Sequence, residues 1–365
     1  MSMQSFSSEI QNIISAVQHN CDISDARHAG KYSMCTFLLK MREYYRWQQG
    51  IPLSGSMEKD AVGKWLVEHE SYWEDLYSQA YKSFLFDEKN LDAFDTPAIN
   101  QQLSQHNIAY SAGRGIFSKP HFFISHLIEH SCQDGIDIYI CGDEYARDLV
   151  APPAMLCNNQ IFIRQQSIRR FIWEKIEENR WRKLDKSPVI QAAHEHGLDI
   201  TVSTISTEQF ESLLDSMTEL ESISALQHEL GEVAAGRQLP GEWDEMLSSL
   251  AGSQAEFIAR AIRDHLADAI TTLPWLLNTN RTAALHFYFA NFSGLRKVLF
   301  PQALEAYNEF NLHHSLTALE DICASSITKW ENEASELLNI FAAEGSEKSA
   351  QTIEAHYQAR IHATA

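Results

Sequence analysis

The amino-acid sequence predicts a mainly α-helical protein, with a small mixed α/β segment in the middle of the chain followed by a C-terminal helical bundle. Apolar residues recur with helical spacing through both ends of the 365-residue chain. Short runs rich in isoleucine, tyrosine and phenylalanine occur between residues 108 and 204, and no internal repeat of fixed period is present. We therefore expect an N-terminal domain over residues 1–205 and an all-helical domain over residues 206–365.

The first hundred residues carry helical periodicity with clear start and stop signals. We predict helices over residues 6–18, 24–49 and 59–84, and a short one opened by Thr96 and Pro97. Gly50 and Pro52 end the second helix, because glycine closes helices readily and proline cannot continue one.

The middle of the chain alternates short strands with helices. We predict strands over residues 108–113, 136–142 and 160–164, with 198–204 as the fourth. Between them, the sequences FFISHLIEH, EYARDL and SIRRFIWEKIEENRW are expected to be helical, and a further helix begins at Pro188 and ends before Gly197.

From residue 206 onward the pattern is helical, and its interruptions predict a bundle of five or six helices. The interruptions fall at residues 236–241, 252–253, 274–280 and 311–314.

Composition and charge exclude several classes of partner. The net charge of −20 repels a phosphate backbone and anionic lipid, so we expect neither nucleic acid nor a membrane as partner. The six cysteines form no C-x-x-C pair, and the N-terminus has no secretory pattern. A cytoplasmic location is therefore expected.

The C-terminal half contains the candidate metal ligands. In the helix predicted over residues 217–233, Glu219 projects into the apolar stripe, where a carboxylate needs a partner. His228 and Glu232 have good ligand spacing, i and i+4, but project onto the opposite face, which is expected to be solvated.

Three further polar residues fall among apolar neighbours. His265 lies inside an apolar stripe with Asp268 at its edge, and His286 lies in the strongly apolar helix over residues 282–301. If these three and Glu219 converge, they could bind one iron, manganese or zinc ion. The paired Glu-x-x-His motifs of di-iron bundles are absent, so the site would be mononuclear. For His265, the alternative is a core histidine that hydrogen-bonds to a local acid or carbonyl.

A second candidate is a pocket in the N-terminal half. Side chains of one predicted helix share a column whose opposite side is also apolar, so the column is expected to be enclosed: His28, Tyr32, Arg42, Glu43 and Arg46. It would pair with another segment or line a cavity.

The segments DARHAGKYSMCTFLLKMREYYRW, ARDLVAPPAM, RRFIWEKI, HELGE and LHFYFANFSGLRKVLFP resemble an uncharacterised family of soluble proteobacterial proteins. That resemblance implies a bacterial source and no catalytic residue. The architecture also resembles that of haem-oxygenase-like helical metalloenzymes.

Two functions follow from these observations. The first is an interaction or scaffold protein with a protein partner, because no complete catalytic motif is present. The second is a non-haem metal-binding protein or metal-dependent oxidoreductase with a His/carboxylate site in the C-terminal bundle. The sequence predicts neither a substrate nor an oligomeric state.

Overall fold

The computed structural model describes residues 6–86, 89–184, 186–202, 205–278 and 281–362. It is 67% helical, with a mixed sheet in the middle of the chain and helices dominating the C-terminal region, so the predicted fold class is confirmed. Two compact units divide between Trp173 and Glu174, earlier than the break predicted near residue 205. The helix at Pro188–Glu195 lies in the second unit because it packs against the helix at Thr282–Ala290.

The first unit begins with three helices, and a fourth follows a two-stranded hairpin. The elements are α1 Ser8–His28, α2 Met34–Gln48, α3 Lys59–Leu76, β1 Phe84–Phe86, β2 Lys89–Leu91 and α4 Thr96–Leu103. Side-chain oxygens of Ser7, Ser33 and Asp95 accept hydrogen bonds from backbone N–H groups three residues on. These caps satisfy donors that the first helical turn leaves unpaired.

The helix boundaries before residue 84 differ from the prediction. The first helix does not end at Gln18 but continues to His28, and the break falls in a 3₁₀ turn over Ala29–Lys31. Ser33 then caps α2, so the segment predicted as one helix over residues 24–49 is divided in two. The third helix ends at Leu76, because Phe84 pairs with Leu91 in the hairpin.

A five-stranded sheet follows, in the order β3-β4-β5-β7-β6. Its strands are β3 Ile108–Arg114, β4 Pro120–Gln133, β5 Ile136–Arg147, β6 Ala154–Cys157 and β7 Gln160–Arg164. β5 and β7 are parallel and the other pairs are antiparallel. The C-terminal ends of β5 and β7 therefore lie at the same edge of the sheet.

Two segments predicted as helices are strands. FFISHLIEH lies in β4 and pairs with both β3 and β5, and most of EYARDL extends β5 to Arg147. Phe122, Phe123 and Ile124 are buried between other elements, so long-range pairing overrides the local helical pattern. The described residues 198–202 of the proposed fourth strand are not a strand, and residues 203–204 lie outside the description.

Alternate residues of the sheet face two apolar layers. Phe122 and Ile124 of β4 pack with Val17 and Cys21 of α1. The intervening Phe123 packs with other residues on the opposite face, including Phe162 of β7. This alternation is what a pleated strand produces when both faces are covered.

The second unit consists of helices, and α5 contains the division between the units. The elements are α5 Gln165–Arg182, α6 Pro188–Glu195, α7 Thr207–Gln238, α8 Glu242–Ser249, α9 Gln254–Ala267, a π-helical segment Asp268–Thr272, α10 Leu273–Leu277, α11 Thr282–Ala290, α12 Gly294–Leu299, α13 Pro301–His313 and α14 Thr317–His362. Described breaks fall near the four predicted interruptions, but the single helix predicted over residues 282–301 was wrong, because residues 291–293 separate α11 from α12. Gly345 kinks α14 with a φ of 70°.

Among the described residues, we find no helix with the length and apolar character needed to cross a membrane.

Candidate metal centre

Three ligand-type side chains from two helices meet in the second unit. His228 and Glu232 lie one turn apart on α7, and Asp264 lies on α9. One ligand atom from each lies within 4.8 Å of the other two. Within the described ranges, no other group of three His, Cys, Asp or Glu side chains is this close.

The face of α7 that turns inward differs from the predicted one. Glu221 is buried and His228 and Glu232 are partly buried, whereas Ile223 is 47% exposed. Glu219 is exposed, so its predicted burial in the apolar stripe was wrong. The predicted solvation of His228 and Glu232 was also wrong, because α7 packs with its small and polar residues toward α9.

Gly231 explains this orientation. A Cβ atom built on Gly231 would overlap the Ala267 carbonyl oxygen and the Thr271 hydroxyl. The Thr271 hydroxyl also donates a 2.6 Å hydrogen bond to the Gln227 carbonyl. Close backbone approach therefore selects the helix face that carries glycine, and the polar neighbours on that face are buried with it.

Asp268 is the centre of the hydrogen-bond network beside the cluster. Its carboxylate accepts hydrogen bonds from His228 Nδ1 at 2.8 Å, from the Tyr288 hydroxyl at 2.8 Å and from the Arg296 guanidinium. Burial alone would raise the pKa of Asp268, but Arg296 and His228 outweigh it and hold that pKa well below its ordinary value. Asp268 therefore remains ionised. It is also the first residue of the π-helical segment, and π-helical segments are frequent at functional sites.

His228 is oriented by this network. Because Nδ1 donates to Asp268, Nε2 is the ring nitrogen left to bind a metal. Burial lowers the pKa of His228, but Asp268 more than offsets this effect and raises the pKa to about 10. In the metal-free chain, His228 is therefore a cation at neutral pH.

Glu232 has one oxygen paired and one unpaired. Its Oε2 lies 2.7 Å from Nε of Arg263, whereas its buried Oε1 has no hydrogen-bond partner in the described part of the chain. Burial raises the pKa of Glu232, and Arg263 opposes that rise. A carboxylate oxygen without a partner is costly to bury, unless a cation or donor reaches it.

The other predicted ligands in this half lie elsewhere in the core. His265 donates from Nε2 to the Arg296 carbonyl at 3.0 Å and stacks on Trp330 with ring centroids 4.3 Å apart. His286 Nδ1 lies 2.8 Å from the Tyr307 hydroxyl. Neither histidine belongs to a group of three close ligand atoms within the described residues, and their role as ligands stays a prediction.

The two core histidines predict how stability depends on pH. Burial lowers the pKa of His265 to about 3 and that of His286 to about 4. Below the ordinary value of 6.5, the unfolded chain binds protons that the folded chain does not, so unfolding becomes easier. We expect the free energy of unfolding to fall from pH 6.5 to 4, by at most about 1.4 kcal/mol per pH unit for each histidine.

Urea unfolding of the wild type and of His286→Gln at pH 5 and 7 checks this expectation. The variant should show the smaller difference between the two pH values. An equal difference in the two chains would mean that His286 does not contribute to the pH dependence of the free energy of unfolding.

The predicted N-terminal column does not lie on one helix. His28 is the last residue of α1, and Tyr32 precedes α2. His28 Nδ1 lies 2.8 Å from the Ser24 carbonyl. His28 and Tyr32 therefore do not share a helix face with the other residues of the predicted column, which lie in α2.

The remaining column residues are in α2 and include a buried ion pair. Arg46 Nε lies 2.9 Å from Glu43, and Arg46 Nη1 donates to the carbonyls of Pro52 at 2.6 Å and Gly55 at 2.8 Å. Arg42 lies 3.2 Å from Glu43, with its side chain 40% exposed. These contacts stabilise the turn after α2. The pocket that was expected at this position stays a prediction.

Asp264 is the cluster residue that sequence reasoning missed. It precedes Asp268 by four residues, so both carboxylates lie on one side of α9. The sequence signal that could have identified Asp264 is its i, i+4 spacing from Asp268, which matches that of His228 and Glu232 on α7. This signal can be used only when the inward faces of both helices are known.

The chain was also compared with known proteins. Residues 12–164 match the model described as "Family of unknown function (DUF6866) N-terminal domain", and residues 169–360 match the corresponding C-terminal domain. No curated protein and no solved structure matches the chain. The interaction or scaffold hypothesis and the protein partner stay predictions.

Proposed function

Because the chain belongs to this family of unknown function, which brings no activity with it, we propose from the side chains that its C-terminal domain binds a divalent metal ion. The ligands are His228 Nε2 and the carboxylates of Glu232 and Asp264. The observation that carries the proposal is that one ligand atom from each of these three residues lies within 4.8 Å of the other two.

The arrangement around the cluster supports a metal in three ways. Asp268 holds the histidine ring by its other nitrogen, the carboxylate–histidine pairing usual behind metal ligands. The unpaired Glu232 Oε1 offers a ligand oxygen. One imidazole and two carboxylates suit manganese, iron or zinc better than the soft, thiolate-binding metals.

The number of ligands bears on what the metal would do. Three protein ligands leave coordination positions open, as in catalytic sites, whereas structural zinc sites are closed by four protein ligands. A metal here would be able to bind water or a substrate. We therefore propose a metal-dependent activity. We also propose a cytoplasmic location, which the six free thiols support.

Metal titration tests the proposal. The full chain, purified without an affinity tag and stripped with chelator, should bind one equivalent of Mn²⁺ or Zn²⁺ by calorimetry. His228→Ala and Asp264→Asn should each weaken binding by at least about 100-fold, because each removes a direct ligand, and loss of an outer partner alone costs 10–100-fold.

His356→Ala is the matched control. His356 also lies beside a carboxylate, 3.4 Å from Glu336, but on the exposed surface of α14. This variant should bind metal like the wild type. A stripped wild-type chain that takes up no metal, or equal binding by His228→Ala and His356→Ala, would rule the site out.

A further inference from the structure

A groove of about 550 Å³ lies in the N-terminal domain, between α1 and the strand β1. Residues 83–85 line it on the strand side. The helix residues that line it share one face of α1, because they are spaced three and four apart. They are Glu9, Asn12, Ile13 and Ala16. The volume of the groove falls within the range of about 300–1,000 Å³ that is usual for ligand-binding pockets.

The groove runs along the backbone edge of β1. The side chains of Phe84 and Leu85 point to opposite faces of the strand, since Phe84 is 1% exposed and Leu85 is 62% exposed. Two such neighbours line one groove only where their shared backbone borders it. β2 pairs with the other edge of β1, and no strand pairs with this edge in the part of the chain that the structure describes.

This edge of β1 offers backbone groups for hydrogen bonding. In an antiparallel pair, alternate residues point their N–H and C=O groups away from the neighbouring strand. Apart from the pairing with β2, no backbone–backbone hydrogen bond joins residues 83–86 to another described segment. An unpaired strand edge is a template on which an extended segment of another protein can add as a further strand.

The two walls of the groove match in length. From Glu9 to Ala16, α1 rises by about 10 Å, at about 1.5 Å per residue. An extended peptide covers that distance with about three residues, at about 3.3 Å per residue. β1 itself has three residues, so the groove has the length of a short strand.

The charge beside the groove favours a basic occupant. Glu9 is exposed and has no ion-pair partner among the described residues. Lys82, which precedes the lining residue Ser83, is held at the other end of the groove, because its backbone N–H and C=O both bond to the Asn20 side chain. Asn20 lies about 16 Å along α1 from Glu9, so Lys82 does not neutralise Glu9. The net charge of −20 adds a long-range attraction for cations.

We propose that the N-terminal domain binds an extended segment of a partner protein that contains lysine or arginine. The segment adds to the free edge of β1 as a third strand of the hairpin sheet. Its basic side chain pairs with Glu9, and its apolar side chains pack on Ile13 and Ala16. Main-chain hydrogen bonds supply the affinity, and Glu9 supplies the preference for a cation.

The test titrates the full chain with a pool of blocked hexapeptides. Each peptide carries one lysine at a fixed central position, and valine, isoleucine, threonine or tyrosine elsewhere, because these residues favour extended strands. The methyl resonances of Ile13 and Leu85 report on the two walls of the groove. They should shift saturably, with a dissociation constant below about 1 mM. Absence of saturable shifts at these methyl groups would overturn the proposal.

Two further pools separate strand addition from simple attraction of a cation. The same pool with glutamate in place of lysine should bind at least about three-fold more weakly, because it loses the ion pair with Glu9. A lysine pool with methylated backbone nitrogens keeps the charge but loses the donors for edge hydrogen bonds, so it should bind at least about ten-fold more weakly. Equal binding of the methylated pool would show that no strand is added and would refute the proposal.

Glu9→Gln removes the charge and keeps the size of the side chain. It should weaken binding of the lysine pool by about two- to five-fold, the value of an exposed ion pair. Glu70→Gln is the matched control, because Glu70 is also an exposed helical glutamate, on α3, and does not line the groove. The control should bind like the wild type. Unchanged binding by Glu9→Gln, or equal weakening by both substitutions, would contradict the pairing with Glu9.

Discussion

Replacing Gly231 with alanine is expected to destabilise the C-terminal domain by at least about 3 kcal/mol, the upper part of the range for overpacking. The added Cβ would overlap the Ala267 carbonyl oxygen, and it would lie only 2.8 Å from the Ala267 carbonyl carbon. These atoms belong to the backbone of α9 and cannot rotate away. The overlap can be relieved only if α7 and α9 move apart.

Separation of the two helices would also disrupt the cluster. His228 and Glu232 come from α7 and Asp264 from α9, so the distances among their ligand atoms depend on the same close approach. We therefore expect Gly231→Ala to lose metal binding together with stability. Urea unfolding and metal titration measure the two effects.

Gly236→Ala is the matched control on the same helix. The nearest atom to a Cβ at Gly236 is Nη2 of Arg263, the end of a flexible side chain, at 3.7 Å. Because alanine favours a helix over glycine by up to about 1 kcal/mol, this variant should be as stable as the wild type or slightly more stable. Equal effects of the two substitutions would show that Gly231 does not set the helix spacing.

Gly231 also illustrates what the sequence could not predict. The helices of the C-terminal half were predictable because apolar spacing, caps and breaks are local signals. The inward face of α7 was not, because it is selected by close approach of another helix rather than by the most apolar stripe. The exposed Ile223 and buried Glu221 are the consequence.

The same limit explains the two misassigned strands. FFISHLIEH has a helical arrangement of apolar residues, but Ile124 pairs with Tyr110 on one side and Ala146 on the other. These partners are distant in sequence, so no local pattern contains them. The cluster of His228, Glu232 and Asp264 is equally non-local, which is why two of its members were identified and the third was missed.

Asp268→Asn should cost about 3 kcal/mol of unfolding free energy. The substitution keeps the shape of the side chain but removes the charge that Arg296 and His228 share. Removing one partner of a buried ion pair leaves the remaining cation uncompensated, which is the costly case. The partial exposure of both cations, 25% for the Arg296 side chain and 29% for His228, keeps the effect below the largest values known.

Asp264→Asn is the control, because Asp264 lies one turn earlier on α9, is partly exposed and is a proposed ligand rather than the centre of the network. We expect it to weaken metal binding by at least about 100-fold at little cost in stability. Equal stability of the two variants would contradict the central role of Asp268.

The two variants should also differ in alkaline solution, measured in chelator so that metal does not contribute. The pKa of His228 is about 10 in the folded chain and 6.5 in the ordinary case, so the His228–Asp268 pair stabilises the fold fully below pH 6.5. This contribution falls as the pH rises toward 10. The wild type and Asp264→Asn should therefore lose stability between pH 7 and 10, whereas Asp268→Asn, which has already lost the interaction, should lose less. Parallel pH profiles for all three chains would mean that Asp268 does not hold the proton on His228, and the orientation of Nε2 toward a metal would lose its physical basis.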